Sequence, residues 1–204
     1  MRGLYLVTPD WDDTDRLLAV TELALAAGVA LLQYRHKHAD PDLRREQAAA
    51  LLALCRRHGC ALVINDHLAL CVEIGADGVH VGGTDASVAA ARAALGPDKI
   101  VGASCYGDPA LALAARDGGA SYVALGGFYP SKVKRYAVGT PPDLVGRVKH
   151  AVALPCVVIG GMTAHNAAPL VARGADMVAA ISSVYLAPDP AAAARGFVDL
   201  YASP

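Results

Sequence analysis

Three features of this sequence predict a (β/α)8 barrel, built as one domain over residues 1–204. First, a short pattern recurs four times: Gly28-Val-Ala-Leu-Leu, Gly75-Ala-Asp-Gly-Val, Gly119-Ala-Ser-Tyr-Val and Gly174-Ala-Asp-Met-Val. Each Gly closes an Ala/Leu-rich helical stretch and opens an apolar run, as the glycine after a helix does when it feeds the next strand. The repeats begin 47, 44 and 55 residues apart, about twice the minimum for one strand-plus-helix unit, so four double units make eight strands and eight helices. Second, runs such as LVIND at 62–66 and CVVIGG at 156–161 are apolar without alternation, as parallel strands covered on both faces are. Third, polar clusters follow the apolar runs, and in parallel α/β proteins the carboxyl ends of the strands open onto one rim. An open doubly wound sheet is the alternative architecture.

In chain order, strands are expected at 3–8, after Gly28, at 61–65, after Gly75, at 99–104, after Gly119, at 155–160 and after Gly174. Helices fall near 13–27, 41–58, 67–74, 87–95, 109–118, 142–153, 164–173 and 190–202. Several open with Pro or follow Asp or Thr, the usual chemistry of a helix start. No linker, low-complexity tract or second domain interrupts the series.

The hydrophobic fraction of 54% against 18% charged residues fits a chain largely buried on both faces of its strands. A net charge of −1 gives no case for nucleic acid or an anionic membrane as partner, so any phosphate site is built locally. The five cysteines (55, 60, 71, 105 and 156) are odd in number and lack CxxC spacing, which fits reduced, packed thiols better than a disulfide framework. No apolar signal core precedes Pro9, and the charge-free stretch 150–172 is broken by Pro155, Gly160, Gly161 and Pro169. A soluble, cytoplasmic protein is expected, with Ala-rich helices that leave room for a homo-oligomer interface.

The candidate chemistry lies at the strand ends. Asp66 and Asp85 close neighbouring strands three and four, and paired hard carboxylates are what Mg²⁺ accepts beside substrate phosphate and water. Each alone reads equally well as a helix cap. Zinc through His36, His67 or His80 has no spacing motif behind it. Gln33, Arg35 and Lys37 alternate along strand two and are expected on one side, where Arg offers a fork and Lys a point charge to an anion. Lys134, with Lys132 and Arg135, sits in a long loop after strand six, which suits a substrate-covering role. Gly160-Gly161 and Ile181-Ser182-Ser183 end strands seven and eight, where backbone amides form the usual phosphate cradle of this architecture.

Taken in order, Gln33-x-Arg35-x-Lys37, Asn65-Asp66, His80-Val-Gly-Gly-Thr-Asp85, Gly102-x-Ser104, Pro130-Ser131-x-x-Lys134, Gly160-Gly161 and Ile181-Ser182 resemble the thiamine phosphate synthase family along almost the whole chain. The resemblance implies a TIM barrel that joins hydroxymethylpyrimidine diphosphate to a (carboxy)thiazole phosphate, releasing thiamine phosphate and diphosphate. It puts one Mg²⁺ per subunit on Asp66 and Asp85. Gln33, Tyr34, Arg35, His36, Lys37, Asn65, Ser104 and Lys134 are implied to bind the pyrimidine diphosphate, with Arg35, Lys37, Lys134 and Ser104 carrying catalysis. Ser131, Lys132, Val133, Gly161, Ile181 and Ser182 are implied to hold the thiazole phosphate. Two positions depart from the family pattern: Val133 lacks the hydroxyl common there, and Gly83 stands where Gln is usual. The rivals are a thiazole tautomerase, a phosphoribosyl isomerase-type barrel and a non-catalytic thiazole-phosphate binder. The first two need no paired carboxylates and no diphosphate clamp.

Overall fold

A computed structural model describes residues 1–82, 87–130 and 139–202. Eight parallel strands, β1 (Gly3–Val7), β2 (Leu31–Tyr34), β3 (Ala61–Asn65), β4 (Gly78–Val81), β5 (Ile100–Tyr106), β6 (Tyr122–Leu125), β7 (Cys156–Ile159) and β8 (Met177–Ala180), close in sequence order into one barrel. The closed ring excludes the open doubly wound sheet. Around it lie α1 (Thr14–Leu25), α2 (Pro41–Arg57), α3 (Leu68–Ile74), α4 (Val88–Leu95), α5 (Pro109–Asp117), α6 (Leu144–Val152), α7 (Ala164–Ala172), a four-residue α8 (Ser182–Tyr185) and α9 (Pro190–Val198), which ends in a 3₁₀ turn. The short α8 is the one helix the periodicity does not announce, because SSVY is a single turn without a repeat.

Alternation along each strand sorts the core into two layers. Tyr5, Val7, Leu31, Val63, Tyr122, Val157 and Met177 fill the barrel, while Leu4, Leu6, Leu32, Leu62, Val79, Val123 and Val158 face the helices. Helix starts are fixed by side chains. Asp13, Asp40, Ser87, Asp108, Thr163 and Asp189 each accept a first-turn amide, at about 1 kcal/mol apiece.

The repeat has its own structural meaning. Two residues after three of the four repeat glycines, Asp77 accepts the Leu62 amide (2.8 Å), Ser121 the Val101 amide (3.1 Å) and Asp176 the Cys156 amide (2.9 Å). These side chains stitch the start of one strand to a neighbouring one at the end of the barrel away from the rim. Stability is thereby concentrated at the base, and the rim is left to function.

Candidate active site

The chain leaves β1 through Thr8 and Asp10, and these residues hold the segment that follows β2. Thr8 Oγ1 donates to the Arg35 carbonyl (2.9 Å) and accepts the Arg35 amide (2.8 Å). Asp10 accepts Arg35 Nη1 (3.1 and 3.2 Å) and the Lys37 amide (2.8 Å). Arg35 is only 6% exposed, and its Nε is buried with no hydrogen-bond partner among the described residues. A buried guanidinium with one unspent N–H is an anion site in waiting, since leaving that donor dry costs free energy.

Strand β2 stops at Tyr34, so the expected strand-borne alternation of Gln33, Arg35 and Lys37 holds only for Gln33. Gln33 faces the barrel interior, where its Nε2 donates to the Tyr5 hydroxyl. Arg35 and Lys37 lie in the loop, and Lys37 Nζ comes to 3.9 Å from Asp66 Oδ2 with its side chain half exposed. Tyr34 points outward, and its hydroxyl donates to Gln47 Oε1 on α2 (3.0 Å). His36 Nδ1 accepts the Ala39 amide (3.0 Å) while Nε2 pairs with Asp12 (3.0 Å). Both side chains thus have polar partners within the fold while lining the cavity beside Lys37 and Asp66.

Asn65 ends β3 pointing inward, and its Nδ2 donates to Asp66 Oδ2 (2.6 Å). Asp66 takes the left-handed conformation (φ 64), which short polar side chains tolerate and which turns its carboxylate toward Lys37. Tyr34, His36, Lys37, Arg44, Asn65, Asp66 and His67 line a cavity of about 210 Å³. Arg44, from the first turns of α2, has a buried Nε without a partner among the described residues. A hard carboxylate beside Lys37 and Arg44, the latter with one unspent guanidinium donor, suits a metal-bound polyphosphate. Asp66 therefore fits a Mg²⁺ ligand. Its expected companion Asp85 lies outside the described residues, as do Gly83, Ser131, Lys132, Val133, Lys134 and Arg135.

On β5 the register shifts between Ser104 and Tyr106, a bulge of the kind that re-aims side chains beside active sites. It extends the strand beyond the expected end at 104. Ser104 points inward, and its Oγ lies 2.9 Å from His80 Nε2. Across the mouth, Gly160 (φ 111) and Gly161 (φ 62) end β7. A Cβ on Gly161 would run into the Pro130 carbonyl, so only glycine fits. Ile181 turns inward beneath Ser182, the first residue of α8. No charged residue occurs between 177 and 188, so the end of β8 itself offers backbone amides and hydroxyls.

Asp10, Arg44, Tyr5 and Tyr122 are absent from the sequence-level site. Asp10 carried one signal, an acid just beyond an apolar run; the others are visible only once strands β1, β2 and β6 are brought together.

An eight-stranded barrel whose strand ends gather Lys37, Arg44, Asn65 and Asp66 on one side and a Gly-Gly bend on the other has the form of an α/β-barrel enzyme. The sequence comparisons make this specific. Residues 4–184 match the family model described as thiamine monophosphate synthase. A thiamine-phosphate synthase of Janthinobacterium sp. (strain Marseille) is 67% identical over 202 residues, covering 99% of this chain and 98% of that protein. One from Thiobacillus denitrificans is 51% identical, covering 98% and 95%. Among solved structures, thiamine phosphate pyrophosphorylase from Pyrococcus furiosus superposes with a TM-score of 0.86 at 27% identity, covering 97% and 94%. The chain belongs to the thiamine monophosphate synthase family, and with it to the transferases of thiamine biosynthesis.

Proposed function

We propose that this thiamine-phosphate synthase holds its two phosphorylated substrates on opposite sides of the barrel mouth. The pyrimidine diphosphate lies over β2 and β3, and the thiazole phosphate over β7 and β8. Arg35 carries this reading: a nearly buried guanidinium tethered by Asp10 in the loop after β2, with Nε unspent. Arg35 and Lys37 meet the diphosphate oxygens, Lys134 joins them from the loop after β6, and Asn65 orients the carboxylate of Asp66. Asp66 and Asp85 would hold Mg²⁺, which when bound supplies positive charge against the departing diphosphate. Gly161, Ile181 and Ser182 with Ser131, Lys132 and Val133 receive the thiazole phosphate.

In the reaction the C–O bond to the diphosphate breaks and its electron pair leaves with the diphosphate oxygen. Charge builds there, and the cationic side chains stabilise it more in the transition state than in the bound substrate. The aminopyrimidine ring delocalises the positive charge left on the methylene carbon. The thiazole nitrogen then donates its lone pair to that carbon, forming the C–N bond; no general base is required, because this nitrogen carries no proton. Holding the two rings in contact supplies much of the rate. Charge stabilisation and positioning are the enzyme's tools here.

The one unit spans residues 1–204 and works in the cytoplasm without nucleic-acid or membrane partners, its Ala-rich helices leaving room for a homo-oligomer interface. The net charge of −1, five free buried cysteines and no helix long and apolar enough to cross a membrane among the described residues support this. The test is thiamine phosphate formation from the two purified substrates, with Mg²⁺ and with excess EDTA, for wild type and Arg35→Ala. Product that needs metal and falls about a hundredfold in the variant supports the reading. Equal turnover by both proteins would remove Arg35 from the diphosphate site.

A further inference from the structure

A chain of buried polar groups crosses the barrel interior beneath the rim. Gln33 Nε2 donates to the Tyr5 hydroxyl, which lies 2.6 Å from the Tyr122 hydroxyl. Tyr122 Oη is 2.8 Å from His80 Nδ1, and His80 Nε2 is 2.9 Å from Ser104 Oγ. Four strands besides that of Ser104 contribute, and the rings pack in fixed contacts. Tyr5 meets Tyr122 edge-on at 5.6 Å between centroids, and His80 stacks on Tyr122 at 5.7 Å. Gly102 makes the crossing possible, since a Cβ there would fall inside the Tyr122 ring. The Gly102-x-Ser104 pairing thus has a physical cause: one residue makes room for the phenol and the other ends the chain it starts.

The direction of donation follows from chemistry. An amide nitrogen only donates, so Tyr5 accepts from Gln33 and gives its single proton to Tyr122. Tyr122 passes its own proton to His80 Nδ1. A neutral imidazole with an accepting Nδ1 carries its proton on Nε2, which therefore donates to Ser104. Burial pushes both phenols well above their ordinary range, so both keep the protons the chain requires. With its oxygen already accepting from His80, Ser104 has its proton left to give outward.

We infer that Gln33, Tyr5, Tyr122 and His80 form an oriented hydrogen-bond chain that aims the Ser104 hydroxyl as a donor at the pyrimidine diphosphate. Tyr122 and His80 are thus positioning residues for synthesis. The inference rests on the reading that Ser104 meets this substrate. In such an arrangement Ser104 never has to choose between donating inward and donating to substrate, and catalysis gains from that pre-organisation.

The experiment is a double-mutant cycle of Tyr122→Phe with Ser104→Ala, read as kcat/KM for the pyrimidine diphosphate, with melting temperatures and a ¹⁵N NMR spectrum of the wild-type His80 ring. Tyr122→Phe alone is expected to lose about tenfold, and less than about twofold when Ser104 is already Ala. The spectrum is expected to show a bare Nδ1 and a protonated Nε2. Fully additive losses, or the opposite tautomer, would overturn the chain's role. Wild-type activity in Ser104→Ala alone would overturn it differently, by removing the premise that Ser104 touches substrate.

Discussion

The two sides of the barrel mouth offer an anion different chemistry. Over β2 and β3 the side chains are charged: Lys37 and Arg44 line a cavity with Asp66, and Asp10 holds the neighbouring Arg35. Over β7 and β8 no ionised side chain takes part among the described residues, and the backbone bends through two glycines to present amides. The first arrangement suits a polyphosphate that arrives with metal and must leave with extra charge. The second suits a phosphate that only anchors its substrate and is unchanged by the reaction. On the proposed reading, strong, ionic and metal-dependent grip belongs where bonds break; a cradle mostly of amides and hydroxyls, with Lys132 beside it, suffices where they do not.

Changes at the charged side should therefore strike turnover hardest. Asp66→Asn keeps a residue that tolerates the left-handed backbone and removes only the charge, so the fold should survive. Turnover at a fixed low Mg²⁺ concentration should fall about a thousandfold and recover in part as Mg²⁺ is raised. An unchanged Mg²⁺ response would take Asp66 out of the metal site. At the neutral side, Gly161→Ala drives a Cβ into the Pro130 carbonyl at a positive φ. The cost is about 2–3 kcal/mol in stability, with KM for thiazole phosphate rising and KM for the pyrimidine diphosphate steady. Parallel increases in both KM values would mean that the two sides are one site.

The base of the barrel supplies a control for both. Asp176→Ala strips the cap from the Cys156 amide and the partner from Lys149 (2.7 Å), which costs about 1–3 kcal/mol. Catalytic constants measured below the melting transition should not move. The smallest effect is alkaline. Burial raises the thiols of Cys71 and Cys156 to about 11 and that of Cys105 to about 12. A raised folded-state value means that the native state keeps protons the unfolded chain releases. Stability should therefore be level below the ordinary thiol range and decline as pH rises from about 9 toward those values. Urea titrations across that interval test it, and a flat profile would contradict the burial.

Much of this was legible in the sequence, unevenly. The four repeat glycines marked helix ends, and the spacing between them yielded all eight strands, because strand-to-helix punctuation is local chemistry. Asn65-Asp66 and Gly160-Gly161 were likewise readable, each lying at a strand end. The strand expected to carry Arg35 and Lys37 stops at Tyr34, and the loop that does carry them is bent by Thr8 and Asp10, which follow β1. Tyr34 and His36 show the same limit: their bonds to Gln47, Ala39 and Asp12 join segments that no local motif brings together. Tyr5 and Tyr122, 117 positions apart, meet only because closure brings β1 and β6 across the barrel, and no sequence window contains that fact.

The division of the mouth into an ionic and a neutral side is tested most directly by calorimetry. Pyrimidine diphosphate with Mg²⁺ and thiazole phosphate would each be titrated into wild type, Arg35→Ala and Gly161→Ala. The account predicts a crossed pattern: Arg35→Ala weakens the diphosphate about a hundredfold and leaves the thiazole phosphate alone, while Gly161→Ala does the reverse. Equal weakening of both ligands by either variant would contradict it.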